Sequence, residues 1–229
     1  MPRIEVNHTV EDYLRSVYRL EVRDNRVSNA ALARELGISS AAVTEMLRRL
    51  SDQGLLQYQK YQEPRLTSAG RTIAMSITRR HRLWEVFLIQ NLGFAWDEVH
   101  EIADELEHVS SDILIERLDG FLGHPTHDPH GDPIPTSDGT MPTFSLLPIS
   151  DLKPGEEGIV ERVSDEFPEL LRYATSLGLS IRTRVRVLER IEFDSSTRLL
   201  ANGRESMVSE KLARSVFVSL SNDTEPKAR

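Results

Sequence analysis

The sequence predicts a mainly helical protein with a C-terminal β domain: a winged helix-turn-helix, a helical middle segment and a small SH3-like β-barrel. Three observations carry this. Two short helices with capping residues meet at a Gly-containing turn within residues 28–54. Helical apolar spacing dominates residues 68–122, and from about Phe144 the apolar residues switch to period two. At 229 residues the chain is long enough for two or three domains. We place them at 1–73, 74–142 and 143–229.

Residues 10–23 read as an amphipathic helix, with Val10, Leu14, Val17, Tyr18 and Leu20 on its apolar side and Thr9 as N-cap. Ser28 caps a short helix, NAALARELG, which Gly37 ends. Ser39 or Ser40 caps a second, SAAVTEMLRRLSDQG, which Gly54 ends. Two helices joined by a tight turn form a helix-turn-helix. The second opens with Ser and Ala, small enough to approach base edges and thymine methyls. The candidate DNA contacts are Asn29, Ser39, Ser40, Ala41, Ala42, Thr44, Glu45, Arg48 and Arg49, although Glu45 would repel phosphate. LLQYQKYQEPRLTSAG reads as two short strands around Gln62-Glu63-Pro64, a wing. An ordinary three-helix domain is the alternative; the order helix, helix-turn-helix, hairpin favours DNA.

Ser68 opens a long helix that ends at Gly93 and carries His81 and Glu85 at i, i+4. Asp97 caps the next helix, which continues without Gly or Pro through SSDILIERLD to about Gly123 with only Gly120 near its end. On it, His100, Asp104, Glu107 and His108 stand at i, i+4, i+7 and i+8 and share one face. That face has two readings: a divalent-metal ligand set that needs partners from elsewhere, or a solvated acidic face that carries histidines. The dense Leu, Ile and Val of 102–122 point either to a subunit interface or to burial under neighbouring helices. HPTHDPHGDPIPTSDGTMP, 124–142, is a linker whose histidines are metal candidates or simply exposed. Short strands follow in SLLPISDL, GEEGIVERV, TRVRVLERIEF, TRLLANG, ESMVSE and SVFVSL, interrupted by a helix in PELLRYATSLGL.

Composition narrows the function. The net charge of -8 is uneven: residues 1–75 carry 11 Lys+Arg against 9 Asp+Glu, and the rest carry 17 against 27. A mildly basic N-terminal segment on an acidic body fits a nucleic-acid reader. The absence of cysteine excludes disulfides, thiolate zinc sites and iron–sulfur clusters. No apolar run is long enough to span a membrane, and MPRIEVNHTVEDYL lacks the apolar core of a secretory signal, so the expected compartment is the cytoplasm.

Taken together, TVEDYLRSVYRL, ISSAAVTEMLRRLSDQGL, LTSAGR, RRHRLWEVFL, VHEIADELEHVSSD and DPHGDPIP make the chain resemble the diphtheria toxin repressor family of metal-dependent bacterial repressors. That family includes the iron-dependent regulators and the manganese transport regulator. The resemblance implies a primary metal site from Asp12, Asp104, Glu107 and His108, and an ancillary site from His81, Glu85 and His100. In the three-domain iron sensors the ancillary site is completed from the barrel, where ERVSDE offers Glu161, Asp165 and Glu166. The iron sensors place Met and Cys where this chain has Asp12 and Asp104. Carboxylate and imidazole suit Mn²⁺ and Fe²⁺ better than sulfur does, so the resemblance implies Mn(II) as effector, with Fe(II) as the alternative and two metal sites per subunit. The two-domain manganese regulators carry a Glu one turn after the Asp, whereas this chain has Arg15.

The resemblance further implies a homodimeric repressor of metal-uptake genes on palindromic double-stranded operator DNA, with neither a membrane nor a small organic substrate as partner. Two other classes compete. A metalloenzyme using the His/Asp/Glu cluster leaves the winged helix-turn-helix unexplained. A metal-independent DNA-binding regulator leaves the ligand spacing unexplained.

Overall fold

The computed structural model describes residues 7–59, 62–109 and 111–220. The expectations for residues 1–6, Lys60 and Tyr61 of the wing, Ser110 of the expected long helix and residues 221–229 lie outside the described residues. The chain forms two compact units, each discontinuous in sequence. The first draws on residues 1–84, 104–120 and 134–141, the second on 85–103, 121–133 and 142–229.

In the first unit, α1 (His8–Asp24) is capped by Asn7, whose side chain accepts from the Val10 N–H at 3.0 Å. The cap therefore lies two residues before Thr9, because an Asn side chain meets the same orphan N–H groups as Thr and reaches them first. Val10, Leu14, Val17 and Leu20 are buried, as the helical spacing predicts. Ser28 caps α2 (Asn29–Glu35) and Ser39 caps α3 (Ser40–Asp52). Val43, Leu47 and Leu50 of α3 pack into the same core as α1. The wing is minimal: β1 (Leu56–Gln57) pairs antiparallel with β2 (Arg65–Leu66).

The helix α4 (Ser68–Leu92) is capped by Thr67 rather than Ser68, the Thr67 Oγ1 accepting from the Gly70 N–H at 3.1 Å. A side chain at Gly70 would overlap the Leu55 carbonyl oxygen, so glycine is what lets the wing pass close to this helix.

The expected single helix after Asp97 is two: α5 (Val99–Val109) and α6 (Asp112–Phe121). Asp97 is not its cap; it lies in the turn before α5 and its Oδ2 takes a hydrogen bond from Arg172 at 3.2 Å. Ser111 starts α6 instead, its Oγ accepting from the Leu114 N–H and its carbonyl from the Ile115 N–H. No helix among the described residues is long and apolar enough to cross a membrane.

The second unit is built on a six-stranded antiparallel sheet in the order β3-β8-β4-β5-β6-β7. Its strands are β3 (Leu147–Pro148), β4 (Glu157–Val163), β5 (Arg184–Arg190), β6 (Thr197–Ala201), β7 (Arg204–Val208) and β8 (Val216–Leu220). Period-two burial holds in β5, where Val185 and Val187 face the core between exposed residues. Register shifts in β4 and β5 bend the sheet around that core. This is an SH3-like sheet domain whose pairings end at β3 and β7 rather than joining them. The helix α7 (Pro168–Ser176) closes one side with Leu170, Leu171 and Ala174. A further helix, α8 (Glu210–Ser215), was not expected, since six residues are too few to show a helical period.

The linker is irregular but tightly held. Gly131 has φ +90, and a side chain there would overlap the Glu161 carbonyl oxygen. Gly131→Ala combines a left-handed backbone with a clash, and is expected to cost the second unit about 3 kcal/mol. Urea unfolding checks this; an unchanged midpoint would contradict the close packing of linker and sheet.

Candidate metal centre

The first cluster lies wholly within the first unit. Four residues of one face of α1 and two of α5 supply its core: Glu11, Asp12 and Arg15 from α1, Asp104, Glu107 and His108 from α5. His108 sits between two carboxylates, with Nδ1 2.8 Å from Glu11 Oε2 and Nε2 2.9 Å from Asp12 Oδ1. Glu107 Oε1 is 3.6 Å from the same Nε2. A carboxylate only accepts hydrogen bonds, so Glu11 holds the proton on Nδ1 and turns Nε2 toward Asp12 and Glu107. Asp12, Glu107 and His108 each bring one ligand atom within 4.8 Å of the others.

Glu107 is fully buried and its Oε1 accepts no hydrogen bond. A buried carboxylate oxygen without a donor is unfavourable unless a cation meets it. The donor set, two carboxylates and an imidazole, suits a divalent ion of the Mn²⁺ or Fe²⁺ kind.

The other half of the cluster is organised by Arg15, one turn beyond Asp12. Its Nη1 donates to Glu107 Oε2 at 2.5 Å and approaches His81 Nδ1 at 2.8 Å, and its Nη2 donates to Asp104 Oδ1 at 2.6 Å. Burial opposes the guanidinium charge, but Glu107 and Asp104 outweigh it and raise the Arg15 pKa above its usual value. His81 Nδ1 also lies 2.8 Å from Glu107 Oε2 and 3.2 Å from Asp104 Oδ1. His81 thus makes these contacts with Arg15, Asp104 and Glu107, although its helical spacing groups it with Glu85.

The second cluster lies wholly within the second unit. His100 Nδ1 is 3.4 Å from Glu85 Oε1 and 3.9 Å from Asp165 Oδ2. Of the three sheet-domain candidates, Asp165 is brought to this cluster. Glu161 Oε1 accepts instead from Arg182 and from Ser219, both at 3.2 Å, and Glu166 is exposed. Two residues that sequence reasoning missed, Asp128 and His130, join Glu85 in a buried ligand-like group. His130 has 0% exposure; its Nε2 is 2.7 Å from the Trp96 carbonyl oxygen and its Nδ1 is 3.9 Å from Glu85 Oε2. Burial lowers the His130 pKa, but Glu85, Asp128 and Asp165 outweigh it and hold it above the usual histidine value. The available signal was Asp-Pro-His-Gly-Asp: Asp128 Oδ1 accepts from the N–H groups of His130 and Asp132, a turn that points the imidazole inward.

On the reading helix, Ser40, Ala41, Ala42, Glu45, Arg48 and Arg49 are exposed, and Ser39 Oγ is engaged in capping. Asn29 and Thr44 bind one another: Asn29 Nδ2 donates to Thr44 Oγ1 at 2.9 Å, and Thr44 Oγ1 donates to the Ser40 carbonyl. These two tie α2 to α3.

The fold and the clusters define a class: a winged helix-turn-helix protein that carries two sets of buried imidazole and carboxylate groups. Comparison with known proteins gives the family. Residues 5–63 match the iron dependent repressor N-terminal DNA binding domain, residues 67–136 the iron dependent repressor metal binding and dimerisation domain, and residues 147–220 the FeoA domain. The chain is 31% identical over 192 residues to the iron-dependent repressor IdeR of Mycobacterium leprae (strain TN), covering 78% of this chain and 83% of that protein. It is 37% identical over 131 residues to IdeR of Mycobacterium bovis (strain ATCC BAA-935 / AF2122/97), spanning 57% of that protein's length. A solved manganese-dependent transcriptional repressor in complex with manganese superposes with a TM-score of 0.87 at 38% identity, over 92% of this chain and 99% of that one. The chain belongs to the diphtheria toxin repressor family of iron- and manganese-dependent repressors, in the form that ends in a FeoA domain.

Proposed function

We propose that the protein is a metal-dependent transcriptional repressor of the cytoplasm that senses Mn(II), binds a palindromic operator as a homodimer and controls metal-uptake genes. The observation that carries this reading is the convergence of Asp12, Glu107 and His108, with the buried Glu107 Oε1 lacking a hydrogen-bond donor. Asp104 completes the regulatory set. Bound there, a divalent ion would supply the positive charge that the carboxylates of this corner lack.

The chain's own residues do the rest. Asp12 belongs to the first helix of the winged domain, at 1–73, and Glu107 and His108 to the helical domain, at 74–142. Glu11 holds His108 with Nε2 facing Asp12, so the ligands of α5 are aimed at α1 in advance. Drawing Asp12 onto His108 and Glu107 fixes α1 against α5, and with it the reading helix that packs on α1. A dimer on a palindrome needs its reading helices about 34 Å apart. The effector favours that arrangement by its differential affinity for it. Glu85, His100, Asp165, Asp128 and His130 form the second site, for which His81 remains a candidate by helix spacing and Glu161 and Glu166 by sequence position.

Manganese is favoured by two hard carboxylates, Asp12 and Asp104, in place of sulfur, and by the likeness to a manganese-dependent repressor. Fe(II) is the alternative, favoured by the likeness to the iron-dependent repressors. The deciding experiment measures operator binding against Mn²⁺, Fe²⁺, Co²⁺ and Zn²⁺, each buffered at its intracellular free concentration. Binding that needs no metal at all would sink the reading. Arg48→Ala is expected to weaken binding to all DNA sequences alike and to reduce the salt slope by about one; a loss confined to one operator would contradict a phosphate contact.

A further inference from the structure

We propose that Arg15 is a built-in cation that takes the place of a second metal ion in the regulatory centre, so that this centre holds one divalent ion and not a pair. The inference rests on the reading that Asp12, Glu107 and His108 bind metal. It concerns the other side of Glu107, which that reading leaves unexplained.

The environment of Arg15 is that of a bound cation. Within 2.8 Å of its guanidinium nitrogens lie Asp104 Oδ1, Glu107 Oε2 and His81 Nδ1. Two carboxylate oxygens and one imidazole nitrogen form a set that a hard divalent ion accepts. Arg15 is itself buried, with 9% exposure, and a guanidinium does not lose its proton in proteins. It therefore holds a permanent charge at a point where an ion would otherwise exchange with solvent.

Glu107 is shared by the two halves. Its Oε2 is taken by Arg15, while its Oε1 is buried and accepts no hydrogen bond. The carboxylate thus bridges a fixed cation on one side and the Asp12–His108 pocket on the other, as a carboxylate bridges two metals in a paired site. One fixed charge and one exchangeable ion give a centre that responds to a single binding event. The fixed charge also repels a second divalent ion from the Asp104–His81 side.

The test uses the full-length protein with Mn²⁺ as the only probe, comparing the wild type with Arg15→Glu and Arg15→Gln. Bound manganese is counted by equilibrium dialysis, and its spin state is read by low-temperature electron paramagnetic resonance. The wild type is expected to show only isolated Mn²⁺ at saturation. Arg15→Glu puts a fourth ligand beside Asp104, Glu107 and His81, and is expected to bind one further equivalent and gain the signature of an exchange-coupled Mn²⁺ pair. Arg15→Gln, which removes the charge and keeps most of the shape, is expected to gain the same ion more weakly.

A coupled pair in the wild type overturns the proposal, and that arm does not depend on any variant folding. It is also overturned if neither variant gains an equivalent. Asp12→Ala separates the two levels of the argument. If it loses one equivalent, the metal reading of the centre stands whatever Arg15 does. If it loses none, that reading and this inference fall together.

Discussion

Asp12→Ala is expected to abolish metal-dependent operator binding while leaving the melting temperature in chelator unchanged. The Asp12 side chain is 41% exposed and has no part in the apolar core, so its removal leaves no cavity. In the metal-free protein it adds one more negative charge to a corner that already holds Glu11, Glu107 and Asp104. Loss of a residue that merely orients a metal ligand costs about 10–100-fold in affinity, so loss of a ligand is expected to cost at least about 100-fold. Anisotropy of a labelled operator, titrated with buffered Mn²⁺, gives the midpoint directly. An unchanged Mn²⁺ midpoint would falsify the proposal that Asp12 links the effector to the reading domain.

Glu107→Ala is expected to behave differently, losing stability as well as metal. Glu107 is fully buried and holds the buried guanidinium of Arg15. Removing one partner of a buried pair leaves an uncompensated charge, at about 3–5 kcal/mol. Arg15 keeps Asp104 at 2.6 Å, which places the loss near the lower end of that range. For a chain of this size the melting temperature in chelator is then expected to fall by on the order of 10 °C. The double variant Arg15→Met, Glu107→Leu removes both charges and is expected to recover much of the loss. If the single variant melts with the wild type, the pair does not have the structural role its burial implies.

The contrast between these variants shows where sequence reasoning stopped. Spacing alone put Asp104, Glu107 and His108 on one face of a helix, and α5 carries them there. Spacing could not divide that face. Asp104 turns to Arg15, His108 to Glu11 and Asp12, and Glu107 to both sides. Arg15, read only as a departure from the two-domain manganese regulators, is the residue around which half the cluster is arranged.

Helix ends were legible to within a residue or two. Asn7 replaced Thr9 and Thr67 replaced Ser68, because neighbouring Asn, Ser and Thr satisfy the same orphan N–H groups. The break between α5 and α6 escaped notice because no Gly or Pro marks it. Only the capping by Ser111 reveals where the second helix starts.

By itself the sequence determined the order of the elements, the turn at Gly37, the period-two sheet and the residue types able to hold a hard divalent ion. These follow from local chemistry: caps, apolar periods and side-chain donors. Only the tertiary structure decided which donors meet. Asp12 reaches His108 across 96 positions, and His130, in a linker without any period, is drawn into a fully buried place beside Glu85. Pairings over such distances depend on how helices pack and where a turn can fold back, and neither leaves a mark in the spacing of nearby residues.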